Sequence, residues 1–339
     1  SNAFNGGEWS PLLDGRTDLQ GYTASATTIE NLLCTVQGPL IRRGGTRFVE
    51  AVEDSTKRSW LVPFVKSRTV SYVIEFGDEV CRFYFDRAQV VSGGAYEIVS
   101  PYTAASLVNS DGEFNLDFVQ SGDVLYITHR SGEYAPRKLS RTSSTSWAFS
   151  EVDPSNGPYA AINPTDTSIY ASAATGSITL TASTSIFTAD DVGSLIRVDQ
   201  QKVNSGIWKP SNVYPLGFYV RSEGKEYKAT NADTSGTSIP AHTNGIVYDG
   251  GVNWEYQSPG YGVARITSQS GTTAGADVIV TFPQTLVGSG QGSTIWRLGA
   301  WSDANGYPET VSFFNERLCF GMGQRLDRSE VAAFESFAP

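Results

Sequence analysis

The sequence predicts an all-β, multidomain protein, and three observations carry that expectation. Short runs of alternating apolar and polar residues, bounded by Gly, Asp, Asn and Ser, recur from Arg47 to Arg297. Helical periodicity is scarce. Only 18% of residues are charged, while glycines number 34 and aromatics make up 12%, a balance that suits sheets and turns better than helical bundles. The 339 residues suffice for two domains and a small third, and a hydrophobic content of 40% is enough to fill their cores. No apolar run approaches the ~18–20 residues of a membrane helix, so no membrane insertion is expected.

The clearest element is a hairpin. Val70, Tyr72, Ile74 and Phe76 alternate with Ser71, Val73 and Glu75; Gly77-Asp78 makes the turn, and Cys81, Phe83 and Phe85 return on one face. Leu61 to Phe64 precedes this hairpin and Gln89-Val90-Val91 follows it. About fifty residues later the pattern repeats: Leu116 to Val119 precedes the run Asp123 to Thr128, and Arg137-Lys138-Leu139 and Trp147 to Phe149 follow. Four short strands per ~50 residues is the spacing of a propeller blade, and two β-meanders packed as a sandwich give the same pattern. Gly157-Pro158 and Asn163-Pro164 then mark a boundary. Strands at Ser177 to Ala182 and Leu195 to Val198 find their continuation only at Ala264 to Gln269, Asp277 to Phe282 and Trp296 to Leu298. Residues 203–258 therefore read as an insertion in a second β domain formed by 159–202 plus 259–302.

The charge of −10 is spread evenly: residues 1–158 hold 14 Lys/Arg against 19 Asp/Glu and the remainder 11 against 16, so each half carries −5. No basic domain is hidden, and a grip on nucleic acid by bulk charge is not expected. Cys34, Cys81 and Cys319 lie far apart with no C-x-x-C pair, which argues against a disulfide framework or a zinc ribbon and suits a reducing compartment. The opening Ser1-Asn2-Ala3 reads as a cloning remnant.

Signals for catalysis are poor. His129 and His242 stand more than a hundred residues apart, and there is no H-E-x-x-H, G-x-S-x-G or phosphate-cradling glycine motif. No enzyme activity, catalytic residue, cofactor or metal site is predicted. A cell-wall glycosidase needs only two carboxylates, so it stays as a rival reading; pairs such as Asp190-Asp191 and Glu53-Asp54 read as solvated turn residues. His129 is expected as a hydrogen-bonded turn residue and His242 as exposed loop.

The insertion has an aromatic frame of Trp208, Tyr214, Gly217, Val220, Gly224, Tyr227, Ala229, Pro240 and Trp254. It resembles the small chitin- and cellulose-binding modules of bacterial glycosidases, twisted sheets with a tryptophan core that stack sugar on exposed rings. Those modules carry a Trp-Trp pair after the alanine, where this chain has Thr230-Asn231. The candidate glycan-stacking residues are Tyr219, Tyr248, Trp254 and Tyr256, and a purely structural insertion is the alternative.

The chain ends carry the most specific pattern. Phe4-Asn5-Gly6-Gly7-Glu8-Trp9-Ser10-Pro11, Gly15-Arg16-Thr17-Asp18-Leu19, Tyr22, Asn31 and Gly38-Pro39-Leu40-Ile41-Arg42-Arg43-Gly44-Gly45-Thr46 form an ordered series. Tyr307 to Leu318, with Phe313-Phe314-Asn315-Glu316-Arg317, then Phe320-Gly321 and Ser329, form another. Together they resemble the tail nozzle proteins of short-tailed bacteriophages, also called tail tubular protein B. The resemblance implies a virion tail protein made in the host cytoplasm, a homo-hexameric ring that meets the portal-adaptor and neighbouring tail subunits. It passes genomic DNA without binding it specifically, and an acidic lumen suits that role. It also implies a propeller fed by discontinuous segments, which would join 303–339 to an N-terminal β domain at 4–158, and a chain that continues beyond Pro339. Arg16, Arg42, Arg43 and Arg317 are the candidate assembly contacts, with local ion pairing as their alternative role. A carbohydrate-binding tail or secreted protein, recognising bacterial surface polysaccharide through the insertion, is the principal rival.

Overall fold

The computed structural model describes residues 3–200 and 206–338. Ser1, Asn2, Pro339 and the expected start of the insertion at Val203 lie outside the described residues. The fold is all-β and multidomain, and among the described residues the helical elements are short 3-10 turns between strands. The chain divides into two compact units, Ser1–Ala51 and Val52–Pro339.

The first unit is built of turns and two short strand pairs. Gly7–Glu8 runs parallel to Ser25–Ala26, and Leu32–Cys34 pairs antiparallel with Leu40–Arg42. Gly6 is required where it stands, because a Cβ there would lie 2.8 Å from the Ala24 carbonyl oxygen. The Trp9 indole donates to the Gly6 carbonyl at 3.0 Å and meets Tyr22 edge-on. Among the described residues of this unit only Gly38 is buried.

The second unit opens with an antiparallel sheet of Trp60–Val65, Ser71–Phe76, Val80–Phe85 and Ala88–Gln89, with Glu97–Val99 also pairing on Val80–Phe85. The alternation read from the sequence is the physical cause: Val62, Phe64, Tyr72, Ile74, Phe76, Cys81 and Phe83 turn to one face and are buried. Phe85, expected on that face, sits at the strand end and stays 37% exposed. Sequence reasoning placed residue 4 at the start of this domain, whereas the compact unit begins at Val52.

A second sheet follows in simple up-and-down order: Leu116–Ser121, Val124–His129, Arg137–Ser143 and Ser146–Glu151. Its strand Val124–His129 is buried almost throughout, since the sheet is covered on both faces. Leu125 and Ile127 join Leu116, Leu139 and Trp147 against the first sheet, where Trp147 stacks on Phe83 at 4.4 Å between ring centres. Tyr126 and Val124 point the other way, into a core with Val311, Leu318, Phe320 and Phe337. That core belongs to a third sheet, Thr310–Phe314, Arg317–Met322 and Arg325–Arg328. Segments remote in sequence are thus neighbours: the Val311 amide donates to the Asp117 carboxylate at 3.0 Å, and Lys138 pairs with Glu335.

Between these sheets in sequence lies the second β domain. One six-stranded sheet runs in the order Ile169–Ala171, Ser177–Ala182, Thr273–Val280, Tyr261–Ser270, Leu195–Asp199, Trp296–Leu298. Asp199 pairs with Tyr261, so the chain leaves and re-enters the sheet on adjacent strands. What leaves is the insertion, a four-stranded sheet of Tyr219–Ser222, Lys225–Ala229, Val252–Ser258 and Ile246–Asp249, with the small pair Val213–Tyr214 and Asp233–Thr234 beside it. Glu226, 1% exposed, ties the insertion to its host: it accepts from the Gln200 side chain at 3.2 Å and from the Gln284 amide at 3.1 Å.

Candidate functional site

Residues proposed for stacking on sugar separate cleanly by burial. Trp254 is fully buried in the core of the insertion with Tyr214, Val220, Tyr227 and Val252, and meets Tyr214 edge-on at 5.0 Å. It is therefore a core residue and no platform. The reason lies in register: Trp254 pairs across to Ala229 on one side and Val247 on the other, on the strand at the centre of the sheet's apolar face. Tyr219 and Tyr256 are half-buried; Tyr256 packs on Tyr227, and the Lys228 ammonium lies over the Tyr219 ring. Tyr248 alone of the four stands out, 68% exposed on the strand Ile246–Asp249 beside exposed Ile246 and Val247. Phe218, which the sequence reading passed over, is also exposed.

The arginines separate in the same way. Arg16 forms a two-pronged pair with Asp18 within its own turn, at 2.7 and 2.8 Å, and both side chains are solvent-exposed. Arg42 and Arg43 are exposed at the end of the Leu40–Arg42 strand, and among the described residues no carboxylate lies within 4.0 Å of either. Arg317 is half-buried and donates to the Ser329 carbonyl at 2.7 Å, holding the end of its own hairpin.

His129 is buried; its Nε2 donates to the Ser106 carbonyl at 2.9 Å, which leaves Nδ1 to accept from the Ser131 hydroxyl at 2.7 Å. Burial depresses its pKa and keeps the ring neutral. His242, expected as exposed loop, is half-buried with its ring on Tyr227, whose hydroxyl donates to the His242 carbonyl at 2.7 Å. Of the adjacent acids, Asp190 is exposed, but Asp191 is buried and closes a capping box with Thr188. Burial likewise drives the Cys81 thiol far up, so it behaves as a core apolar group.

Exposed apolar side chains occur along the chain, several of them in the first unit and on the first sheet of the second. In the first unit Leu12, Leu33, Val36, Ile41 and Phe48 face solvent, Phe48 being 76% exposed. In the second unit Leu61, Val65 and Val73 cover the outer face of the first sheet, opposite its core face, with Val99 on the neighbouring strand. No model of a known protein family matches the chain, and a search of curated proteins returned no significant match.

Proposed function

We infer that the protein is a structural component of a phage tail, of the nozzle type, which works by assembly and catalyses no reaction. The observation that carries this reading is the first unit: some fifty residues with defined turns and strand pairs, among whose described residues only Gly38 is buried while Leu, Val, Ile and Phe side chains are exposed. A segment of this size cannot offset its ordering entropy without a core, so its apolar side chains need a surface supplied from outside the unit. The stretch from Leu32 to Val49 carries Arg42, Arg43 and Arg47 and no acid, while the chain as a whole is at −10. A basic, apolar arm of this kind suits attachment to acidic protein neighbours, such as portal-adaptor or adjacent tail subunits. The stacked sheets built from residues 60–151 and 310–328 accord with a propeller, and the acidic balance accords with a conduit through which DNA passes without sticking. Mixing the chain with portal and adaptor should yield hexameric rings in electron micrographs. Removing residues 1–51 should abolish those rings while leaving the thermal unfolding of the remainder in place; absence of any association by the intact chain would overturn the reading.

A second reading has one observation in its favour, the exposed Tyr248 ring on the edge strand Ile246–Asp249 of the insertion. Under it the insertion stacks on bacterial surface polysaccharide. Binding on a glycan array that disappears in Tyr248→Ala, with the unfolding midpoint unchanged, is the expected result. An array blank for the unaltered chain removes the reading.

A further inference from the structure

Within the second unit a cavity of about 500 Å³ opens along the free edge of the strand Arg325–Arg328, and four arginines line it: Arg297, Arg317, Arg325 and Arg328. They come from three separate stretches of chain. Asp327 is the single acid in the lining, and it is already satisfied, accepting from Arg325 Nε at 2.7 Å and from the Trp301 indole at 3.0 Å. Arg325 is held further by its bond to the Tyr159 carbonyl at 2.7 Å. The other three guanidiniums lack a carboxylate of their own. Asp199 lies 3.7 Å from Arg297 but is engaged two-pronged by Arg197, with contacts down to 2.6 Å. Arg297 Nε is buried without a hydrogen-bond partner. Among the described residues no carboxylate lies within 4.0 Å of Arg317 or Arg328.

In a chain with ten more acids than bases, counter-charges are plentiful, and gathering unmatched guanidiniums around one cavity raises a strong local positive potential. We propose that this cavity binds a small phosphorylated molecule through its phosphate. A single carboxylate presents two oxygens and one charge, which one arginine fork satisfies, as Arg325 does for Asp327. A phosphate monoester presents three terminal oxygens and up to two charges, and so matches several guanidiniums converging from different strands. The cavity is larger than a bare phosphate requires and falls in the range of small-molecule sites. Tyr159, Leu326 and Phe337 give it an apolar wall on which the body of the ligand, a sugar or a nucleoside, can pack. The inference does not rest on the assembly reading.

The test is isothermal titration of the whole chain at low salt with inorganic pyrophosphate, followed by glucose 6-phosphate and AMP, each as a competitor of the others. One saturable site is expected, weakened at least tenfold by Arg328→Glu and by Arg317→Gln and unaffected by Arg68→Glu, an exposed arginine in the bend between the strands Trp60–Val65 and Ser71–Phe76. Arg328 is exposed, so Arg328→Glu is informative even if Arg317→Gln disturbs its hairpin. The tighter of the two organic phosphates identifies the carrier. No saturation by pyrophosphate at millimolar concentration overturns the proposal. So does wild-type affinity in Arg328→Glu, or an equal loss in Arg68→Glu, which would reduce the effect to overall charge.

Discussion

Single side chains show where reading from residue type stops. Trp254 and Tyr248 are both large aromatics in the same small sheet, and residue type alone assigned both to a binding face; cross-strand register puts one in the core and the other in solvent. His242 was misjudged for a related reason, because a Pro-flanked loop position says nothing of the Tyr227 ring that covers it. Glu226 gave no signal at all in the sequence, yet it is the buried acid that joins the insertion to the host sheet. Burial raises its pKa above the ordinary carboxyl range, against the opposing pull of its amide donors. A carboxyl of this kind holds its proton more tightly in the folded than in the unfolded chain, so stability falls as pH rises from the ordinary glutamate range through the raised value. Glu226→Gln, which keeps one acceptor oxygen and removes the titration, should therefore gain on the parent as pH is increased across that window. Urea midpoints measured at pH 4, 6 and 8 check it; a constant difference would refute it.

At the scale of elements, period-two alternation did most of the predictive work. It located the hairpin of Ser71–Phe76 and Val80–Phe85 and the similar unit about fifty residues on, because an apolar face and a polar face leave a visible imprint on sequence. It could not show that the second sheet is covered on both faces, since its outward residues are themselves apolar: Val124 and Tyr126 look like strand residues of any kind until the third sheet is found lying on them. Tyr126 is thus a sensitive probe of the packing between sheets. Tyr126→Ala should cost about 3 kcal/mol by removing a buried ring, whereas Val65→Ala on the exposed face of the first sheet should stay within ~0.5 kcal/mol. Chemical denaturation of the two variants separates them, and equal losses would mean that the second and third sheets do not share a core.

For the molecule as a whole, composition conveyed the all-β class. The exposure of Leu12, Leu33, Ile41 and Phe48 was hidden from sequence, where they look like ordinary core material. Under the assembly reading, loss of rings without loss of the folded remainder is the expected signature of removing residues 1–51. The second sheet, covered on both faces, also has a consequence in time. Its partner on one side is encoded 194 residues after Asp117. At ~5–20 residues per second, the face bearing Val124 and Tyr126 stays bare for roughly 10–40 s of synthesis on the ribosome. The nascent chain must pass that interval with an apolar sheet uncovered, which makes the completion of translation, rather than the formation of any one strand, the event that closes this core.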